Sequence, residues 1–161
     1  MLTVLQEALG EAHGLAVAAS NTVDRVEQRL LDRGLRRPLD GLRLDSAEVR
    51  VRCLDAERAF AAELAAEILA HANTVADRAG DLAGSWFKAG TGPLTAWTFL
   101  AMGEAGEVAA WSSLRVLAAR EGLLVELAEW GRDVQFRHLE LALEWIELVA
   151  EGFEPAAPRW G

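Results

Sequence analysis

The sequence predicts an all-α protein, a four-helix bundle of long helices. The bundle either runs up-down-up-down or has a crossing connection between its second and third helices. Three observations carry this. Apolar residues recur at spacings of three and four, and no period-2 segment of comparable length occurs. The four prolines stand at positions 38, 93, 155 and 158, leaving long stretches rich in the helix formers Ala, Leu, Glu and Arg. Gly34, Gly80, Gly122 and Gly152 each follow a periodic run, where a residue that accepts the left-handed conformation closes a helix.

Each element follows from these signals. Helix A, about residues 3–33, carries the series Leu2, Leu5, Leu9, Ala12, Ala16, Ala19, Val23, Val26, Leu30, an unbroken 3-4 alternation. Helix B, 46–79, is expected to open on Asp45 and Glu48, which have capping-box spacing. Its seam runs Leu54, Glu57, Ala61, Leu64, Ile68, His71, Val75. Helix C covers 94–121 and helix D 123–151. At about 1.5 Å per residue each helix is roughly 40–50 Å long. The A–B link is 34–45, the B–C link is 80–93, and the C–D link is very tight. The tail 152–161, with two prolines and Trp160, is expected to lie on the bundle or to be partly free. Residues 1–161 form a single domain, and Leu64, Ile68, Leu100, Trp111, Leu141 and Trp145 are the expected central core.

Composition removes several classes of function. The 16 Lys and Arg against 25 Asp and Glu leave a net charge of −9, which argues against a nucleic-acid partner. One cysteine excludes an internal disulfide framework and suits a reducing compartment. The first twenty residues contain Glu7, Glu11 and His13 and do not read as a signal peptide. The longest uncharged run, residues 89–103, is shorter than the roughly 20 apolar residues that a spanning helix needs. A cytoplasmic protein without a membrane partner is expected. The pattern contains no Ser-His-Asp arrangement, phosphate-binding glycine loop or cysteine metal motif, so neither an enzymatic reaction nor a small-molecule substrate is assigned.

The informative residues are polar side chains on the apolar seams. Glu57 and His71 fall in core positions of helix B. Glu104 and Glu107 lie among Leu100, Ala101, Val108 and Trp111 of helix C, and His138 lies among Val134, Gln135, Leu141 and Ala142 of helix D. His13 and Glu27 take similar places on helix A. A buried carboxylate takes up a proton or binds a cation in preference to standing bare. Glu104, Glu107 and His138 are therefore the leading metal-ligand candidates, with Glu57 and His71 behind them. Carboxylate and imidazole ligands suit Fe, Mn or Zn.

Four long helices with a tight C–D link and a longer B–C link resemble the ferritin-like superfamily. The resemblance implies two metal ions at mid-bundle, held by one Glu from each of two helices and a Glu-x-x-His pair from each of the others. Helix C supplies Glu104 or Glu107, and helix A supplies Asp24 or Glu27. Helix D has Gln135-x-x-His138. Helix B has Glu67-x-x-x-His71, or Glu57 with Phe60 in the histidine position. Neither Glu-x-x-His pair is intact, which points to a single-metal or metal-free relative rather than an oxygen-activating enzyme. A second resemblance is to all-α nucleoside triphosphate pyrophosphohydrolases. Glu104-Ala-Gly-Glu107 followed by Glu126-Leu-Ala-Glu129 is similar to their Mg²⁺-holding acidic pairs.

A third reading is a non-catalytic interaction or scaffold module. Gly10, Gly14 and Ala18 form a small-residue ridge that admits another helix, from this bundle or a second subunit, and a homo-oligomer is expected. Gly103, Gly106 and Gly131 are expected to mark close helix contacts, with a tryptophan of a facing helix on the glycine.

Overall fold

The computed structural model describes residues 1–30, 34 and 36–152. Among these residues there are five helices: α1 (Val4–Glu27), α2 (Arg37–Glu57), α3 (Ala62–Trp86), α4 (Pro93–Glu121) and α5 (Val125–Ala150). No strand occurs among the described residues. The all-α class therefore holds, while the four long helices become five. The expected helix over 46–79 is two helices, broken at residues 58–61.

Local chemistry explains most of the boundaries. Thr3 caps α1 reciprocally: the Gln6 backbone N–H donates to Thr3 Oγ1 and the Thr3 N–H donates to Gln6 Oε1. The helix ends at Glu27 instead of the expected 33. Residues 31–33 and 35 lie outside the described ones, as does the tail from 153 with Trp160. Pro38 stands in the first turn of α2, where its missing N–H costs nothing, so this helix starts inside the expected 34–45 link. Asp45 is then a mid-helix residue and not a cap. The break after α2 holds neither Gly nor Pro, and Ala61 turns to an extended backbone with φ −58° and ψ 145°. The next helix passes through Gly80 without stopping and reaches Trp86. The expected fourteen-residue link is thus six residues, 87–92. Gly122 and Gly152, at φ 69° and 78°, close α4 and α5 as the sequence predicts.

Two apolar clusters fix the helix directions. One joins Val23 and Val26 of α1, Leu39 and Leu42 of α2, Ala83 of α3, Trp97 and Leu100 of α4 and Ala142 of α5. The other joins Leu5 and Leu9, Val49 and Cys53, Ile68, Trp111 and Leu114, and Ala128 and Val134 of the same five helices in turn. Successive helices therefore alternate in direction, and α2 and α4 run parallel. α1 packs on α2 and α4, and α5 packs on the same two, so these four close a ring. α3 lies against α1 outside that ring and carries the chain from one end to the other between α2 and α4.

The predicted α1 seam is buried at every position from Leu5 to Leu30. Of the expected central core, Ile68, Leu100 and Trp111 are buried, while Leu64, Leu141 and Trp145 are only partly buried, packed at its edges. The ridge of Gly10 and Gly14 is covered by α3 of the same chain. A Cβ on Gly10 would stand 2.9 Å from His71 Cδ2, and one on Gly14 would meet the Ala72 carbonyl and the Val75 side chain. That surface is not free for a second subunit.

Candidate functional site

Between the two apolar clusters the bundle carries a polar layer. On α2 it falls at Asp45 and Ser46, between Leu42 and Val49. On α4 it falls at Glu104 and Glu107, between Ala101 and Trp111. On α5 it falls at Gln135 and His138, between Val134 and Ala142. Helical spacing of three and four keeps these on the inward seam or, for Asp45, at its edge, so the same periodicity that builds the core buries all of the polar groups but Asp45. Glu104 is 2 % exposed, Glu107 3 %, Gln135 1 % and His138 4 %.

His138 is held from both sides. Its Nε2 lies 3.0 Å from Asp45 Oδ2, and its Nδ1 lies 3.4 Å from Glu104 Oε2. The second approach is an ion-pair contact outside good hydrogen-bond geometry, and Glu104 Oε2 has no hydrogen-bond partner in the protein. Burial pulls the imidazole down. Glu104 and then Asp45 outweigh it together and hold His138 above the ordinary 6.5. Glu107 Oε2 and both amide atoms of Gln135 are likewise buried without a partner. Burial first, and the negative charge of Glu104 second, push Glu107 well above the ordinary glutamate value. Asp45 remains half exposed, so the row Asp45, His138, Glu104 runs from solvent inward.

An apolar cleft reaches the same two glutamates from another side. It holds about 220 Å³ between α3 and α4, over α1, and is lined by Leu15, Thr22, Leu82, Phe99, Met102, Glu104 and Glu107 among others. Gly103 and Gly106 line it too. A Cβ on either would meet nothing within 4 Å, so close helix contact does not explain them, contrary to expectation. Gly131 is the one of the three that a tryptophan covers: the Trp111 ring occupies the space its Cβ would need. Two interior helical glycines that gain no packing each cost about 1 kcal/mol relative to alanine. What they provide here is room beside the carboxylates.

The remaining expected ligands are elsewhere. His13 Nδ1–H donates to Glu57 Oε1 at 2.6 Å, and both residues are buried. His71 packs on Gly10 at the α1–α3 interface. The seam that was to place Glu57 and His71 together ran across the 58–61 break and joined two helices. Asp24 and Glu27 pair with Arg43 at the surface. Cys53 is buried, and its thiol is pushed up by burial, then by Glu57 and Glu107, so it stays unreactive. Glu126 and Glu129 are exposed near the start of α5, away from the buried middle of α4.

The metal expectation meets a chemical test in this geometry. Of Glu104, Glu107, His138, Glu57 and His71, the structure brings together the first three and separates the other two. Among the described residues no set of three or more His, Cys, Asp or Glu side chains is arranged to hold a metal ion. The paired centre of two Glu and two Glu-x-x-His motifs does not fit this layer. Asp45 was missed as a site residue because capping-box spacing placed it at a helix start. The series Leu42, Ser46, Val49, Cys53, Glu57 would have placed that turn inside a helix. Among the described residues no helix is long and apolar enough to cross a membrane.

Compared with family models, curated proteins and solved structures, the chain matches none.

Proposed function

We propose that this chain is a ferritin-like bundle whose mid-bundle site binds a small, mainly apolar molecule. Two antiparallel hairpins, α1–α2 and α4–α5, joined by a segment that traverses the bundle, support the architectural half of this reading. The ligand half is carried by one observation. A 220 Å³ apolar cleft is lined by two buried glutamates, of which Glu107 has an oxygen with no partner in the protein and Glu104 an oxygen whose one polar neighbour is His138 at 3.4 Å. Dry apolar cavities of about 150 Å³ take up a benzene-sized guest, so this space suits one small ring or a short branched chain. Apolar lining with a few convergent polar groups is the usual make-up of a ligand site.

The experiment is a titration with ethylbenzene, followed by ¹H–¹³C methyl spectra of the purified protein. Saturable shifts confined to the cleft side chains, and absent from Gly106→Leu, are the expected result. A flat titration, or shifts that survive Gly106→Leu, rejects the reading.

A metal-handling function is the second reading, and one contact favours it. Asp45 engages the far nitrogen of His138, the arrangement by which a carboxylate orients a metal-ligating histidine. Glu104 would be its first partner. Titration with Fe²⁺, Mn²⁺ and Zn²⁺ tests it, and the absence of a stoichiometric endpoint for all three rejects it.

A further inference from the structure

We propose that the molecule received in the cleft is an apolar primary amine, its ammonium group held between Glu104 and Glu107. The inference rests on the cleft reading and names the class of ligand. Three features lead to it.

The first is charge. Three carboxyl groups, Asp45, Glu104 and Glu107, share the layer with one imidazole, and among the described residues no lysine or arginine pairs with either glutamate. Protonating His138 cancels one negative charge. The layer then needs a proton or a cation from outside to avoid a bare buried carboxylate.

The second is hydrogen bonding. Glu104 and Glu107 stand one helical turn apart on the same face of α4; Glu107 Oε2 has no partner, and Glu104 Oε2 has only the 3.4 Å approach of His138 Nδ1. An ammonium group offers three donors from one atom, so a single head group satisfies both. Hydrogen bonds between two ionised groups are about twice as strong as neutral ones. A hydroxyl offers one donor and no charge, so it would serve only one of the two carboxyl groups.

The third is the lining. Leu15, Leu82, Phe99 and Met102 leave Thr22 as the one polar side chain besides the two glutamates on the cleft wall, too few partners for a hydrated metal ion. They suit the hydrocarbon part of an amphipathic cation. A helix from a second copy, laid over Gly103 and Gly106, would cover the apolar walls but leave Glu107 Oε2 unpaired.

The test compares phenethylamine with its neutral analogue ethylbenzene by calorimetry on the full chain, in wild type, Glu107→Gln and Gly106→Leu. Phenethylamine is expected to bind wild type at least about tenfold more tightly than ethylbenzene. Glu107→Gln is expected to remove most of that difference and keep ethylbenzene binding, while Gly106→Leu removes both. Equal affinity of the two probes for wild type overturns the amine assignment and leaves the cleft reading standing. No binding of either probe overturns both. Amine binding that persists in Gly106→Leu places the cation on the acidic surface and overturns the assignment. Sedimentation is run alongside, and a dimer that Gly106→Leu breaks gives the cleft to a second copy and overturns it as well. Circular dichroism of each variant confirms that the fold is kept, and Gly106→Ala serves as a second, smaller filling variant.

Discussion

The ring of Trp111 on α4 fills the space that a side chain on Gly131 of α5 would need, with Cε3, Cζ3 and Cη2 nearest. The two helices can pack this closely only because residue 131 has no Cβ. Gly131→Ala therefore forces a buried indole to move and is expected to cost about 1–3 kcal/mol. Gly103→Ala meets open space and gains helix propensity, so it is expected to stabilise by up to about 1 kcal/mol. Urea unfolding midpoints of the two variants should move in opposite directions.

Glu107 gives a stability that depends on pH. Its carboxyl group holds its proton in the folded protein well above 4.5, the value near which an unfolded chain releases it. The folded state therefore binds more protons over that window, and stability falls as pH rises from about 4.5 towards the folded value. Glu107→Gln keeps the shape and removes the titration. The variant should match wild type near pH 4 and exceed it at pH 8, by an amount on the order of 1–3 kcal/mol. A gain that does not change between pH 4 and 8 would show that Glu107 does not titrate as described.

His138 follows the same sign for a different reason. Its folded value lies above 6.5 because Glu104 and Asp45 together favour the imidazolium over the opposing effect of burial. The stabilisation it provides is complete below about 6.5 and is lost as pH rises through the folded value. The imidazole resonances should titrate above 6.5 in wild type. Glu104→Gln should lower that midpoint, and more than Asp45→Asn does, since solvent screens the half-exposed Asp45.

His13 and Glu57 form a pair that the cleft does not touch. Both are buried, and their 2.6 Å hydrogen bond ties α1 to the last turn of α2. Removing one partner strands the other, so His13→Ala or Glu57→Ala is expected to cost about 3–5 kcal/mol. The paired change His13→Leu with Glu57→Leu should cost clearly less than the sum of His13→Leu and Glu57→Leu. Strict additivity in that double-mutant cycle would mean that the contact carries no coupling.

Much of the fold can be read from residues whose backbone chemistry is unambiguous. The α1 seam is continuous and its capping residues are local, so its buried face follows from spacing. Gly122 and Gly152 end helices because both take positive φ. Gly80 misled, since an interior glycine costs only about 1 kcal/mol, which tertiary packing offsets. The 58–61 break was illegible for the opposite reason: Arg58, Ala59, Phe60 and Ala61 are all compatible with helix. The two helices on either side of it pack differently, α2 on α1 and α5 and α3 almost wholly on α1, and no local residue type signals that change. Within the site, Glu104, Glu107 and His138 were legible as polar groups on apolar seams. Asp45 was not, because its place depends on where α2 starts, and the readable signal was Pro38. The cleft is a gap between α3 and α4, and no spacing in either helix encodes a gap.

The Asp45–His138 contact joins residues 93 apart in sequence, across helices that share little else. The α1–α2 and α4–α5 hairpins are local and can zip early, whereas contacts of such long range must first meet a large loop-closure cost. A half-assembled chain would hold His138 beside Glu104 with nothing on its other nitrogen. The histidine thus acquires both of its carboxylates only when the two hairpins dock, and the chemistry of the layer reports on completion of the fold.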